Sequence, residues 1–127
     1  MQWSAGAGAG FTSGTPWLKI HPNYKEVNVE RDLTDPDGVS AFFKRMNAYK
    51  KSSEILREGS FRELYAGSSV YAFERKLGEK RLVAVCNLTS RTVSVPAGLT
   101  GRVVISNYSD TFHKLRPYEF RLISPAW

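Results

Sequence analysis

The chain has 127 residues, which is room for one domain with a single apolar core and an appended piece. Its composition, 42% hydrophobic and 13% aromatic, excludes a disordered chain. The net charge is +6, but the basic residues are interspersed with twelve acidic residues and form no nucleic-acid-recognition motif. A solvated surface of mixed charge is therefore favoured over a nucleic-acid-binding surface. No apolar run reaches membrane-spanning length, and the one cysteine excludes an internal disulfide.

Residues 1–24 are predicted to form a long irregular loop. Three of the seven residues between Ser4 and Gly10 are glycine, which disfavours both helix and strand. The same segment carries Trp3, Phe11 and Trp17, and large aromatic side chains need a surface that buries them. We therefore expect this loop to pack on a neighbour, which need not lie within these residues.

One amphipathic helix is predicted after the loop. The segment Thr34–Asp37 combines a capping side chain, a proline and an acid, as at the start of many helices. Beyond it, apolar residues recur at spacings of three and four and form one stripe that runs to about Ser52: Val39, Phe42, Phe43, Met46 and Tyr49. Such a stripe is far more often core than a partner-binding groove.

The segment Arg81–Leu88 organises the rest of the chain. If extended, it is apolar on both faces, as in a central strand of a sheet that is covered on both sides. Gly78 suits a hairpin turn that joins it to the preceding strand. From about Gly59 we predict an antiparallel β-sandwich with these strands: Phe61–Leu64, Val70–Lys76, Arg81–Leu88, Arg91–Val95, Arg102–Asn107 and Pro117–Ile123.

The last predicted strand alternates in polarity. Tyr118, Phe120 and Leu122 alternate with Glu119 and Arg121, which predicts a strand with one face in water. Cys86 lies within the most apolar strand and is predicted to be a small buried hydrophobic side chain.

No residue pattern predicts a catalytic, cofactor-binding or metal site. His21 and His113 lie in polar, loop-like contexts and are interpreted as surface residues. The glycine-rich residues 4–14 lack the preceding strand and following Lys-Ser/Thr of a phosphate-binding loop. The acids near the helix start are interpreted as exposed residues rather than an acid–base pair: Glu26, Glu30, Asp32, Asp35 and Asp37.

Several short motifs resemble glycoside hydrolase family 13, and within it the branch of oligo-1,6-glucosidases, trehalose-6-phosphate hydrolases and sucrose isomerases. The motifs at the N-terminus are Met1-Gln2-Trp3, Ala9-Gly10-Phe11, Pro16-Trp17, Pro22-Asn23-Tyr24 and Val27-Asn28-Val29. Later motifs are Asp35-Pro36, Tyr71-Ala72-Phe73-Glu74-Arg75 and Leu115-Arg116-Pro117-Tyr118-Glu119. The resemblance implies that residues 1–58 are the last loop and helix of a catalytic (β/α)₈ barrel and that residues 59–127 are an α-amylase-type C-terminal β-sandwich domain.

The resemblance also implies what these residues do not supply. The family's nucleophile and its acid/base lie upstream, and retaining hydrolysis needs both carboxylates around one glycosidic bond. We therefore expect a C-terminal structural portion of a cytoplasmic α-glucosidase, inactive alone and without cofactors. Its partner would be the rest of the barrel, and oligosaccharide would bind only in the full enzyme. Without the barrel, we expect apolar surface to be hidden by self-association or by folding back of the loop.

One alternative comes from a different functional class. An independent carbohydrate-binding module could use Trp3, Trp17 or Tyr24 as a platform on which sugar rings stack. These residues lie in a predicted loop rather than on a sheet face, which makes this the second choice.

Overall fold

The structure is a computed structural model that describes residues 1–110 and 113–125. The chain divides into two compact units, Met1–Arg45 and Met46–Trp127, which we call the N-terminal unit and the β unit. The division into residues 1–58 and 59–127 that the family resemblance implies stays a prediction about the parent enzyme.

The N-terminal unit consists of short elements. It contains 3₁₀ turns at Ala7–Gly10 and Pro22–Lys25, helix α1 at Val29–Thr34 and the first half of helix α2, which spans Val39–Ser52. The glycine-rich stretch closes on itself, because the Ala9 carbonyl accepts hydrogen bonds from the amides of Trp3 and Ser4 at 2.9 and 3.1 Å. Ala9 is the one buried apolar residue among the described residues of this unit.

Helix α2 has the predicted bounds, but the predicted start signal was wrong. Thr34 ends α1, and Asp35 caps the C-terminus of that helix. The cap of α2 is Asp32, whose carboxylate accepts hydrogen bonds from the amides of Val39 at 2.8 Å and Ser40 at 3.0 Å. A side chain from seven residues upstream therefore does what the local pattern assigned to residues 34–37.

The β unit holds the second half of α2, helix α3 at Glu54–Glu58 and two antiparallel sheets. The strands are β1 Ser60–Ala66, β2 Val70–Leu77, β3 Lys80–Asn87, β4 Val93–Ser94, β5 Arg102–Ser106, β6 Lys114–Leu115 and β7 Phe120–Ser124. Five of them form one sheet in the order β1-β2-β3-β7-β5, and β4 pairs with β6. The architecture confirms the predicted mainly-β fold with an antiparallel sandwich.

Strand β3 is the centre of the fold, as predicted. Val83 and Val85 pack on one side of the large sheet with Leu115 of the small sheet. Leu82 and Ala84 pack on the other side with Ile55 of α3. The buried part of this segment is shorter than predicted. Cys86 is only partly buried, and Leu88, which lies beyond the end of β3, is 59% exposed.

The prediction of a wet face on the last strand was wrong. Glu119 is 1% exposed and Arg121 8% exposed, and the Arg121 Nε–Glu119 Oε1 distance is 2.7 Å. The polar members of the alternation are buried because they neutralise each other. Strand β7 also starts later than predicted, since Pro117 and Tyr118 form a turn before it.

Candidate functional site

Two of the acids near the helix start, Asp32 and Asp35, accept hydrogen bonds from backbone amides. The carboxylate of Asp32 caps α2, and its hydrogen bonds with Ser40 hold the pKa of that carboxyl below its usual range. Asp35 accepts a hydrogen bond from the Asp37 amide at 2.9 Å. Glu30 lies in the first turn of α1, where acid is favoured by the helix dipole. This cluster therefore stabilises helix ends.

The two histidines and the cysteine do not form part of a metal-binding cluster among the described residues. His21 and His113 are exposed. Burial raises the pKa of the Cys86 thiol, which lowers its reactivity at neutral pH. Within residues 1–110 and 113–125, no three side chains of metal-binding type converge on a common point.

Two buried carboxylates of the β unit are engaged by arginines. Glu74, 3% exposed, pairs with Arg81 and, at 3.1 Å, with Arg62. Glu119 pairs with Arg121 and accepts a hydrogen bond from the Arg116 amide at 2.7 Å. Burial alone would raise the pKa of Glu119, but the hydrogen bonds from Arg121 and Arg116 outweigh it, and the pKa lies below its ordinary value. Carboxylates held in this way tie strands together.

The principal concave surface of the N-terminal unit is an apolar groove of about 720 Å³. It is lined mainly by aliphatic and aromatic side chains, among them Met1, Phe11, Trp17, Ile20, Val29 and Val39. Gln2, at its edge, is fixed by hydrogen bonds from its amide nitrogen to the Asn23 side chain and the Val27 carbonyl. We call this surface the groove.

The groove belongs to a unit that leaves most of its apolar side chains in water. Of the thirteen large apolar residues that are exposed among the described residues, nine lie in the N-terminal unit. Trp17 is 86% exposed and Phe11 57% exposed. Contiguous exposed apolar surface of this kind marks an interaction site. The expectation that these aromatics pack on a neighbour stays a prediction.

The aromatic residues considered as a sugar platform do not all line the groove. Trp17 lines the groove, whereas Trp3 and Tyr24 are absent from its lining. Trp3 is half-exposed and Tyr24 partly buried. A platform needs several rings presented to the same ligand, so the arrangement gives the independent carbohydrate-binding module little support.

The residues that line the groove lie in a part of the chain that is similar to a known catalytic domain. Residues 1–59 match the family model of the alpha amylase catalytic domain. The chain is 34% identical to oligo-1,6-glucosidase from Parageobacillus thermoglucosidasius over 96% of its own length. The chain belongs to glycoside hydrolase family 13. Its N-terminal unit lies within the residues that match the catalytic-domain model.

Other family 13 members show the same pattern. Trehalose-6-phosphate hydrolase from Escherichia coli is 33% identical over 94% of the chain. The crystal structure of isomaltulose synthase from Erwinia rhapontici NX5 superposes with a TM-score of 0.82, at 33% identity over 97% of the chain. The chain spans about a quarter of the length of these proteins: 24% of the oligo-1,6-glucosidase, 23% of the hydrolase and 24% of the synthase.

Membrane insertion through a helix finds no support in the described residues. None of the helices there combines the length and apolar character that crossing a bilayer requires.

Proposed function

We propose that these residues are the C-terminal portion of an α-glucosidase of the oligo-1,6-glucosidase type. The parent enzyme would hydrolyse α-glucosidic bonds of short oligosaccharides in the cytoplasm. The observation that carries the proposal is the match of residues 1–59 to a catalytic domain, together with the N-terminal unit's single buried apolar residue, Ala9. A segment of a barrel is expected to expose the side chains that the remaining barrel would bury.

The two units would have different roles in the parent enzyme. The N-terminal unit would complete the catalytic domain, with the groove closed by side chains from outside these residues. The β unit would act as a folded support, because it has its own core on both sides of β3. The two carboxylates of a retaining hydrolysis would come from outside these residues. Alone, the chain would hide its groove by self-association and would not turn over substrate.

The proposal is tested by fragment complementation. The purified chain is mixed with a Parageobacillus thermoglucosidasius oligo-1,6-glucosidase shortened by the quarter of its length that the chain matches. Hydrolysis of isomaltose is measured for each component and for the mixture. We expect turnover only in the mixture, and less of it when Trp17→Ser is used, because that change removes the most exposed apolar side chain of the groove.

Two controls decide the outcome. Lys25→Ser changes another exposed residue of the unit outside the groove lining and is expected to complement as well as the unaltered chain. Turnover by the chain alone, proportional to its concentration and retained after repurification, would contradict the proposal.

A further inference from the structure

Another concave surface, of about 420 Å³, lies on the β unit. It is formed by the turn between β1 and β2 and by β4 with the loop that follows it. Its lining combines the aromatic ring of Tyr65 with the hydroxyls of Ser68, Ser69 and Ser94 and with aliphatic side chains such as Val93. Among the described residues, no charged side chain lines it. We call this surface the Tyr65 pocket.

The ring of Tyr65 lies against the backbone at Gly67. A Cβ at position 67 would come within 2.6 Å of Tyr65 Cε1 and 2.8 Å of the Tyr65 hydroxyl oxygen, so a side chain at this position would displace the ring. The turn is closed by a hydrogen bond from the Gly67 amide to the Val70 carbonyl at 3.0 Å. Tyr65 is 45% exposed, so the ring is supported by the turn and still presents surface to the pocket.

The serines of the pocket supply hydroxyls that are available to a ligand. Within the described residues, the side chains of Ser68, Ser69 and Ser94 make no hydrogen bond. Ser69 is partly buried, and its carbonyl accepts a hydrogen bond from the Leu88 amide at 2.8 Å, which holds the turn in place. Each hydroxyl can donate and accept, so the pocket offers several positions for hydrogen bonds beside one aromatic ring.

This combination suits a sugar. One face of a sugar ring carries C–H groups that stack on an aromatic ring, and its edge carries hydroxyls that both donate and accept. A charged ligand would find no opposite charge in the described lining. A purely apolar ligand would leave the serine hydroxyls unpaired, which is unfavourable once water is displaced.

We propose that the Tyr65 pocket binds an uncharged sugar ring, with Tyr65 as the stacking platform and the three serines as partners of the sugar hydroxyls. The site shares no residue with the aromatic platform considered from the sequence, since all of its lining lies in the β unit. It does not include the groove and needs no residue from outside the chain.

The test is saturation-transfer difference NMR with isomaltose added to the chain alone. We expect saturable binding with a millimolar dissociation constant, because one ring and three hydroxyls make a small contact. Tyr65→Ala should weaken binding about tenfold or more, because the stacking surface is lost. Gly67→Ala keeps the tyrosine but displaces its ring, so it should also weaken binding. Sorbitol, which has hydroxyls but no ring, should bind more weakly than isomaltose.

Phe61→Ala is the matched control. Phe61 is 57% exposed on the same strand as Tyr65, but its ring contacts Phe73, which packs on the face of the sheet that α3 covers. Trp17→Ser is the second control, because it removes the most exposed aromatic ring of the groove. Both variants should bind isomaltose within about twofold of the unaltered chain. Thermal melts of all variants establish that any loss of binding occurs in folded protein.

Four results would overturn the assignment. They are the absence of saturable isomaltose binding, binding that Tyr65→Ala leaves unchanged, and binding that is lost in Trp17→Ser instead, which would place the sugar in the groove. The fourth is tighter binding of phenol than of isomaltose at this pocket, which would identify a site for apolar ligands. None of them bears on the proposed function, because isomaltose binding is measured without the shortened enzyme and complementation is measured as turnover.

Discussion

The two units stabilise themselves in opposite ways. Among the residues that the structure describes, the N-terminal unit buries one apolar residue, Ala9, whereas the β unit buries ten. The N-terminal unit carries five basic and five acidic residues, so the whole net charge of +6 lies in the β unit. One unit is held by caps, turns and backbone hydrogen bonds, and the other by an apolar core bordered by buried ion pairs. Only the second arrangement supplies the hydrophobic burial that stabilises a free domain.

Amide hydrogen exchange should show the largest difference between the units. We expect β2, β3 and β7 to exchange more slowly than residues 1–38 by roughly a thousandfold or more, because a core of this kind supports several kcal/mol of stability. The measurement is mass spectrometry at a concentration where the chain is monomeric. Equal protection of both regions in that sample would contradict the comparison.

Loss of the Glu119 carboxylate should strongly destabilise the β unit. Glu119→Gln leaves Arg121, whose side chain is 10% exposed, as a buried charge without its counterion. We expect the free energy of unfolding to fall by about 3 kcal/mol, measured in urea. Glu63→Gln, a change at an exposed position of β1, should alter it by less than about 0.5 kcal/mol.

The same pair of variants gives a pH test. The pKa of Glu119 in the folded chain lies below its ordinary value of 4.5, so its stabilising effect is complete above that pH. The effect is lost as the pH falls through the lower folded-state pKa. The stability difference between the unaltered chain and Glu119→Gln should therefore shrink on acidification, with Glu63→Gln as the control for the removal of one carboxylate.

A matched pair of leucines sharpens the comparison further. Leu122→Ala in the core, at 2% exposure, should cost about 3 kcal/mol, and Leu18→Ala at the groove, at 62% exposure, less than about 0.5 kcal/mol. Urea denaturation followed by far-ultraviolet circular dichroism measures both. In the complemented enzyme the difference between the costs of the two substitutions should become smaller, because Leu18 would then be covered. A large cost of Leu18→Ala in the isolated chain would show that the N-terminal unit has a core of its own.

The smallest effect concerns the turn before β7. Tyr118→Asn should raise the free energy of unfolding of the isolated chain by about 0.5 kcal/mol, because asparagine accepts a positive φ at less cost. A lower stability, read from the thermal midpoint, would show that the ring contributes to the β unit itself.

Sequence reasoning found what is locally encoded. The hairpin of β2 and β3, the bounds of α2 and the aromatic excess of residues 1–24 all follow from periodicity, turn residues and composition. It failed where a specific side-chain contact decides the structure. Asp32 reaches forward to cap α2, and Arg121 neutralises Glu119, so a local helix-start pattern and a polar alternation were both misinterpreted.

The exposed apolar residues, too, were predicted from the sequence only in part. The exposed aromatics of the N-terminal unit were expected from their number in a glycine-rich loop. The exposed position of Tyr118 was not, because it depends on a turn in which this residue has a positive φ. Short elements such as α1, α3 and β6 were also missed, since few residues give little periodicity to detect.

Strand β7 determines when the second edge of β3 is paired during synthesis. Strands β1, β2 and β3 are contiguous in sequence and can pair as soon as they are synthesised. The second edge of β3, apolar on both faces, then waits for residues 120–124, because β7 enters between β3 and β5. Until that late moment the open edge is a template for pairing with another nascent chain. Loss of residues 120–124 would leave that edge of β3 open permanently.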